Sequence, residues 1–305
     1  MDIVCCFDLG GTTINCAQFD LAGTIQEFET LPSKNDKEYI LDTINTYLNQ
    51  VVQSHKLVGI GLSVPGMVDV ERGVVNGFSA LQNLHEFNYI SYFHELYNVP
   101  VVIENDANAA LLGEYYNGHA KDKDNAILIS VGTGIGGALM ESKNLVRGRK
   151  NLAGEFGFML QHQKENTYVS LNELTSLALL VKRINQEDYI TITSAKEAFD
   201  LAESGDGDIK KIIDDFYRNL AVGIYNLNFS FDPDVILLSG AISERSNFDQ
   251  QLQNHVNQLI DESVERFLGK HVDSKWLYPI IKACKNGNKS NVIGMYSKVK
   301  TELKL

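Results

Sequence analysis

Ser130-Val131-Gly132-Thr133-Gly134-Ile135-Gly136-Gly137 places four glycines and a threonine in eight residues, directly after the apolar run Ala126–Ile129. A strand that runs into such a turn ends in backbone N–H groups with no side chains over them. That concave row of donors suits an anion, most often a phosphate. The N-terminus repeats the device, with the strand-like run Ile3–Phe7 followed by Asp8-Leu9-Gly10-Gly11-Thr12-Thr13. Two strand-to-glycine turns, each with threonines, predict two loops that grip one polyphosphate from opposite sides.

The rest of the pattern builds on these turns. Ile40, Leu41, Ile44, Leu48, Val51 and Val52 recur at helical spacing and predict an amphipathic helix over Lys37–Ser54. Further strands are expected at Ile14–Phe19, Gly23–Phe28, Val58–Val64 (ended by Pro65-Gly66) and Val101–Ile103. Ala107–Tyr116 reads as a helix that runs into a polar linker at 117–124. The pattern then restarts with the strand Ala126–Val131, the glycine turn and the strand Ala138–Glu141. Helical runs over Leu171–Ile184 and Ile209–Phe229 follow, then the strand Val235–Ser239 ending in Gly240-Ala241, then helices over Gln250–Phe267 and Ser290–Leu303.

Both halves thus open with strand, glycine turn, strand, further strand and helix, a likeness of layout rather than a sequence repeat. It predicts two related α/β domains, 1–116 and 117–289, with the closing helix of about 290–305 packing back on the first. In open α/β sheets ligands bind beyond the carboxyl ends of the strands, where all these turns fall, so a cleft between the domains is the expected site.

At 305 residues the chain is long enough for two domains. Its net charge of −12 argues against a nucleic-acid or anionic-membrane partner. It does not exclude a nucleotide, which a local nest of N–H groups can hold. No run approaches the roughly 20 apolar residues of a membrane span, and no basic segment leads into an apolar one at the N-terminus, so a cytoplasmic location is expected. Cys5, Cys6, Cys16 and Cys284 have the spacing of neither a zinc site nor a disulfide framework and read as reduced thiols.

Six segments in order carry a resemblance to the ROK family (repressors, open reading frames and kinases), a branch of the actin-like (ribonuclease H-like) ATPase fold. They are Asp8–Thr13, Val64–Asp69, Glu104–Ala110, Ser130–Gly137, Ala153–Gly157 and Leu238–Ile242. The resemblance implies an ATP-dependent kinase for a small-molecule sugar. It implies two actin-like ATPase domains flanking a cleft, with ATP and Mg²⁺ as cofactors. The homodimer common in the family is allowed by the resemblance but not required.

The residue roles come from the same resemblance. Asp106 stands where the family has its general base, which takes the proton of a sugar hydroxyl, read here as the 6-hydroxyl, as it attacks the γ-phosphate. By residue type and position alone, Asp106 reads as a helix N-cap. Asn105 and Glu155 match sugar-hydroxyl ligands, and Gly66 and Ser79 fall where relatives line the sugar pocket. Asp8 resembles the acid that orients magnesium through water. Gly10, Gly11, Thr12, Thr13, Gly132, Thr133 and Gly134 would hold the phosphates, and Gly240 and Ala241 the adenosine.

Two departures stand out. Many relatives carry a zinc-holding histidine three residues after the glutamate, followed by a cysteine-rich loop. Here that position is Phe158, no cysteine lies between Cys16 and Cys284, and His162 alone supplies too few ligands, so no zinc is expected. A second sugar-binding glutamate aligns with Asn172, with Glu173 out of register by one. Losing both contacts opens the C1–C2 side of the sugar, which would admit a β-glucoside or disaccharide. Competing readings are a sugar-sensing regulator, a pseudokinase and an actin-like or chaperone ATPase. Against the regulator stand the negative charge and the arrival of Asp8 with no helix-turn-helix before it; against the ATPase stand the Glu-Asn-Asp and Gly-Glu segments.

Overall fold

The computed structural model describes residues 1–77, 79–164, 166–186 and 190–304. The chain divides into two compact units. Unit 1 is Met1–Asp122 with Arg147–Leu152 and Asn288–Leu305; unit 2 is Lys123–Val146 with Ala153–Gly287.

In unit 1, β1 (Asp2–Leu9), β2 (Thr13–Phe19) and β3 (Ile25–Pro32) form a meander, and α1 (Lys37–Ser54) connects it to β4 (Lys56–Val64). The hairpin β5 (Met67–Asp69) and β6 (Val74–Asn76) and helix α2 (Tyr89–Tyr97) lead to β7 (Val101–Asn105) and α3 (Asp106–Asn117). The sheet order is β3-β2-β1-β4-β7, with β1, β4 and β7 parallel. β1 is buried on both faces: Ile3, Cys5 and Phe7 pack in one core, Val4 and Cys6 in another. Cys5, Cys6 and Cys16 are buried thiols. α1 spans the residues its periodicity predicts. The Asp36 carboxylate caps it by accepting the Tyr39 N–H at 3.1 Å, and Ile40, Ile44, Leu48 and Val51 bury one face.

In unit 2, β8 (Ala126–Val131), β9 (Ile135–Glu141) and β10 (Asn144–Val146) form the corresponding meander. A hairpin of β11 (Leu160–Lys164) and β12 (Thr167–Ser170) precedes α4 (Leu171–Thr175), α5 (Leu177–Asn185), α6 (Ala195–Ser204) and α7 (Gly207–Phe231). Then come β13 (Val235–Ser239), α8 (Phe248–Leu268) and β14 (Ile281–Ala283), giving the order β10-β9-β8-β13-β14. Ile127, Ile129 and Ile236 of the sheet share a core with Phe216 and Leu220 of α7 and Leu252 of α8.

The helical run expected over Leu171–Ile184 is broken at Ser176, whose ψ of 140° is extended. The break lets the N–H of Leu177 leave the helical ladder and bond the Gly132 carbonyl at 2.8 Å. A tertiary hydrogen bond to the glycine turn thus overrides local helix propensity.

The last helix, α9 (Ser290–Glu302), belongs to unit 1 and packs against α3, β1 and β4. Its approach to α3 is close enough to demand glycine, since a Cβ on Gly294 would collide with the Ala109 carbonyl. The first unit also extends past the expected boundary at 116/117, to Asp122. The end of α3 holds those residues: the Glu114 carbonyl accepts the N–H of Gly118 and of Ala120, and its carboxylate accepts that of His119 at 2.9 Å. Among the described residues no helix is long and apolar enough to cross a membrane.

Candidate active site

Asp8 is the penultimate residue of β1. One carboxylate oxygen accepts from the Ser63 hydroxyl and the Asn291 amide, each at 2.8 Å, and the other from Asn15 at 3.3 Å. Burial pushes this carboxyl above its ordinary range, and the three hydrogen bonds pull it back only in part. Magnesium keeps much of its water and often takes only one or two protein carboxylates, so a single oriented acid at the end of a strand fits it. A cation would also relieve the buried charge. Among the described residues no three His, Cys, Asp or Glu side chains are grouped to hold a metal by themselves. Asn291 escaped the sequence reading. It lies on α9 and also donates to the Asp106 carbonyl at 3.2 Å, so one amide ties the candidate metal acid to the candidate base.

The turn after β1 closes on itself, with the Gly10 N–H bonded to the Thr13 carbonyl at 2.8 Å. The row of N–H donors expected here is therefore shorter by one. Gly11, Thr12 and Thr13 are exposed.

Asn105, not Asp106, caps α3. Its side-chain oxygen accepts the Asn108 N–H at 3.1 Å, while its amide donates to the Gly66 carbonyl at 3.0 Å and to Asp106 Oδ1 at 2.9 Å. Asp106 is the first residue of the helix, and its Oδ1 also accepts the Ala107 N–H at 2.9 Å. Relieved of the cap, its carboxylate is held in direction at the positive end of a helix. Both amide hydrogens of Asn105 are engaged, so toward a sugar it offers its oxygen as an acceptor. Gly66 joins this cluster through its carbonyl. The Ser79 hydroxyl donates to the Pro65 carbonyl at 2.8 Å and accepts the Leu81 N–H at 3.0 Å, which holds the loop below Gly66.

In unit 2 the turn after β8 is closed in the same way, by the Gly132 N–H on the Gly134 carbonyl at 3.0 Å. Asn172 braces it, accepting the Ile135 N–H at 2.9 Å. The residue aligned with a sugar ligand thus supports the glycine turn. Glu173 closes a capping box with Ser170, which holds its carboxyl below the ordinary range. A cavity of about 710 Å³ opens beside the turn, lined by Gly132, Thr133, Leu177, Val181, Ala241 and Ile242 among others. Gly240 makes the bend into this wall at φ +93°, where a Cβ would meet the Val131 carbonyl. Arg245, at its rim, is locked by Asp200 and Glu203 at 2.7 Å each. The volume and the apolar lining suit a purine and ribose.

Glu155 precedes the short 3₁₀ turn Phe156–Phe158. Half-burial pushes its carboxyl up, and no described side chain or N–H donates to it. Phe158, on the same turn, is 66% exposed. The following segment forms the β11–β12 hairpin, of which Glu165 lies outside the described residues.

A model of the ROK family matches residues 4–302. A beta-glucoside kinase of Listeria monocytogenes is 31% identical over 265 residues, which span 83% of this chain and 87% of that protein. A beta-glucoside kinase of Klebsiella pneumoniae is 30% identical, with 83% and 86% covered. Among solved structures, a ROK family protein of Streptococcus pneumoniae in complex with sucrose superposes with a TM-score of 0.85, at 30% identity and with 99% of both chains covered. With a match over nearly its whole length and the family's turns at the ends of its strands, this chain belongs to the ROK family.

Proposed function

We propose that this ATP-dependent sugar kinase acts on a hexoside, a hexose substituted at C1, and places the γ-phosphate of ATP on its 6-hydroxyl with Asp106 as general base. The kinase activity goes with the family and with the beta-glucoside kinases that resemble the chain over most of their length. The observation that carries the choice of base is the β7–α3 junction, where Asn105 takes over the cap and holds the Asp106 carboxylate in place.

In this reading the 6-hydroxyl hydrogen-bonds to Asp106 and gives up its proton as its oxygen attacks the γ-phosphorus. The bond from that phosphorus to the bridging oxygen breaks, and ADP leaves. The adenosine occupies the cavity of unit 2, against the apolar side chains of Leu177, Val181 and Ile242, with Lys196, Glu244 and Arg245 also on its lining. The exposed turn Thr133–Gly134 of unit 2 offers donors to the phosphate oxygens of ATP, and the exposed turn Gly11–Thr13 of unit 1 offers donors of the same kind. Asp8 would hold Mg²⁺ through water, and the ion would supply positive charge for the phosphate oxygens. Glu155 accepts from sugar hydroxyls. The C1 substituent is supported by Phe158, which puts an exposed apolar ring where relatives carry histidine, and by the relatives, one of which holds sucrose, a sugar substituted at C1.

A coupled ADP-release assay over glucose, N-acetylmannosamine, sucrose, cellobiose and phenyl β-glucoside tests the reading. Turnover is expected with the glucosides above free hexoses, and Asp106→Asn should lower kcat at least roughly 100-fold. Rapid turnover of free hexoses with rejection of every glucoside would sink the substrate class. Absence of turnover with any sugar, with ATP still bound, would point to a sensor.

A further inference from the structure

Glu104 has no part in the scheme above, yet it is 1% exposed and sits directly before Asn105 and Asp106. A carboxylate at that depth is costly unless its oxygens are fully met. Oε2 accepts from Arg147 Nη2 and from Lys298 Nζ, the latter at 2.8 Å. Oε1 accepts the backbone N–H of Asn105 at 3.1 Å and the Asn108 amide at 3.2 Å. Lys298 also donates to the Ile103 carbonyl at 2.7 Å. One oxygen therefore faces two cations, and the other faces the start of α3.

Burial pushes the Glu104 carboxyl up, but Lys298 and Arg147 outweigh it and leave the group below its ordinary range. Burial also lowers Lys298, and Glu104 restores it only in part. Fold stability does not call for such an arrangement, since replacing a buried ion cluster with well-packed apolar groups is often neutral or stabilising. Apolar groups could not, however, hold the Asn105 N–H. The hydrogen bonds run on from there without a gap. Asn105 is gripped by Glu104 at its backbone and by Gly66 at its amide, and that amide grips Asp106. Asn108 closes the loop, donating its side chain to Glu104 and its backbone N–H to Asn105.

We propose that Glu104, clamped by Lys298 and Arg147, is a positioning residue for phosphoryl transfer: it fixes the Asn105 peptide and, through the Asn105 amide, the direction of the Asp106 carboxylate. The proposal rests on Asp106 being the base. Arg147 opens the strip Arg147–Leu152, which belongs to unit 1 although the chain on either side of it belongs to unit 2. Its ion pair holds the start of that strip to Glu104.

The test is steady-state kinetics of the full chain with ATP, magnesium and phenyl β-glucoside, alongside thermal unfolding. The variants are Glu104→Gln, Lys298→Met, Arg147→Met, Arg147→Lys, Asp106→Asn and the double variant Glu104→Gln/Asp106→Asn. Glu104→Gln keeps an acceptor for Asn105 but loses the clamp. Its kcat is expected to fall roughly 10- to 100-fold, as for a base misplaced by about an ångström, with both KM values within about threefold of the parent. Lys298→Met and Arg147→Met should lower kcat in the same way, and Arg147→Lys should recover part of it. In the Asp106→Asn background Glu104→Gln should add little, because a group that acts only through Asp106 has nothing left to position.

An inactive Asp106→Asn beside an unimpaired Glu104→Gln overturns this inference alone, as does a Glu104→Gln that loses only thermal stability. Full turnover by Asp106→Asn overturns the base and the inference together. Should Glu104→Gln fail to fold, unchanged kcat in both Lys298→Met and Arg147→Met is the overturning result.

Discussion

The two sheets repeat one pattern, antiparallel, antiparallel, parallel, parallel, in the orders β3-β2-β1-β4-β7 and β10-β9-β8-β13-β14. The registers of the parallel pairs correspond at the functional end, while the turn after β8 is one residue shorter than that after β1. Asp8 of β1 lies opposite Ser63 of β4, and Ser130 of β8 lies opposite Ser239 of β13. Gly10 and Gly132 then stand at the same step after their strands, each closing its turn with its own N–H. On this common frame unit 1 places a carboxylate where unit 2 places a hydroxyl. β7 of unit 1 runs into Glu104-Asn105-Asp106, while β14 of unit 2 ends at Ala283 before Cys284. Corresponding strand ends thus carry acids in one unit and border a largely apolar cavity in the other. Topology supplies the turns, and the side chains at the strand ends decide between chemistry and binding.

The comparison can be attacked first at Asp8, where the largest effect is expected. Asp8→Asn makes the β1 end neutral, like that of β8, and should lower kcat roughly 100-fold. It should also raise Tm at neutral pH. Because burial raises the folded-state pKa of Asp8, the stability linked to it is present below the ordinary carboxylate range and lost as pH rises through the folded value. The Tm gap between Asp8→Asn and the parent should therefore close as pH falls, which calorimetry over an acid series would show. A lower Tm for Asp8→Asn at neutral pH would mean that its three hydrogen bonds outweigh its burial.

Ala241→Leu probes the other side. A larger side chain in the cavity of unit 2 should raise KM for ATP roughly tenfold and leave KM for the sugar unchanged. A shift in both constants would break the division between a chemical and a binding unit. Gly294→Ala has the smallest expected effect on turnover. Wedging α9 away from α3 should cost about 1–3 kcal/mol of stability, read as a lower Tm, with kcat changing less than in Asp8→Asn. A loss of kcat as large as that of Asp8→Asn would mean that the Asn291 amide on α9 is set to within a few tenths of an ångström.

Much of this was legible from residue order because the signals are local. Hydrophobic spacing over Lys37–Ser54 settles a helix whose cap, Asp36, is its immediate neighbour. An apolar run followed by glycines announces a strand and a turn wherever it occurs, and the order of such segments marked the family. The helix break at Ser176 was not legible, because its cause is a carbonyl on another segment, that of Gly132. Nor was the α3 cap. Asn105 and Asp106 are both good capping residues, and only the backbone at the β7–α3 junction chooses between them.

By itself the sequence determined the two strand-and-glycine frames, the acids at the ends of β1 and β7, and the Phe158 and Asn172 that stand near Glu155 and the second glycine turn. Each of these is a residue type at a short fixed distance from a backbone feature. Tertiary structure alone decided which distant groups meet those acids. Asn291 reaches Asp8 and Asp106, and Lys298 and Arg147 reach Glu104, because α9 and the strip Arg147–Leu152 fold onto the first unit. Chain separation carries no record of such meetings. They follow from which apolar faces must be buried together, and the polar partners arrive with the faces that carry them.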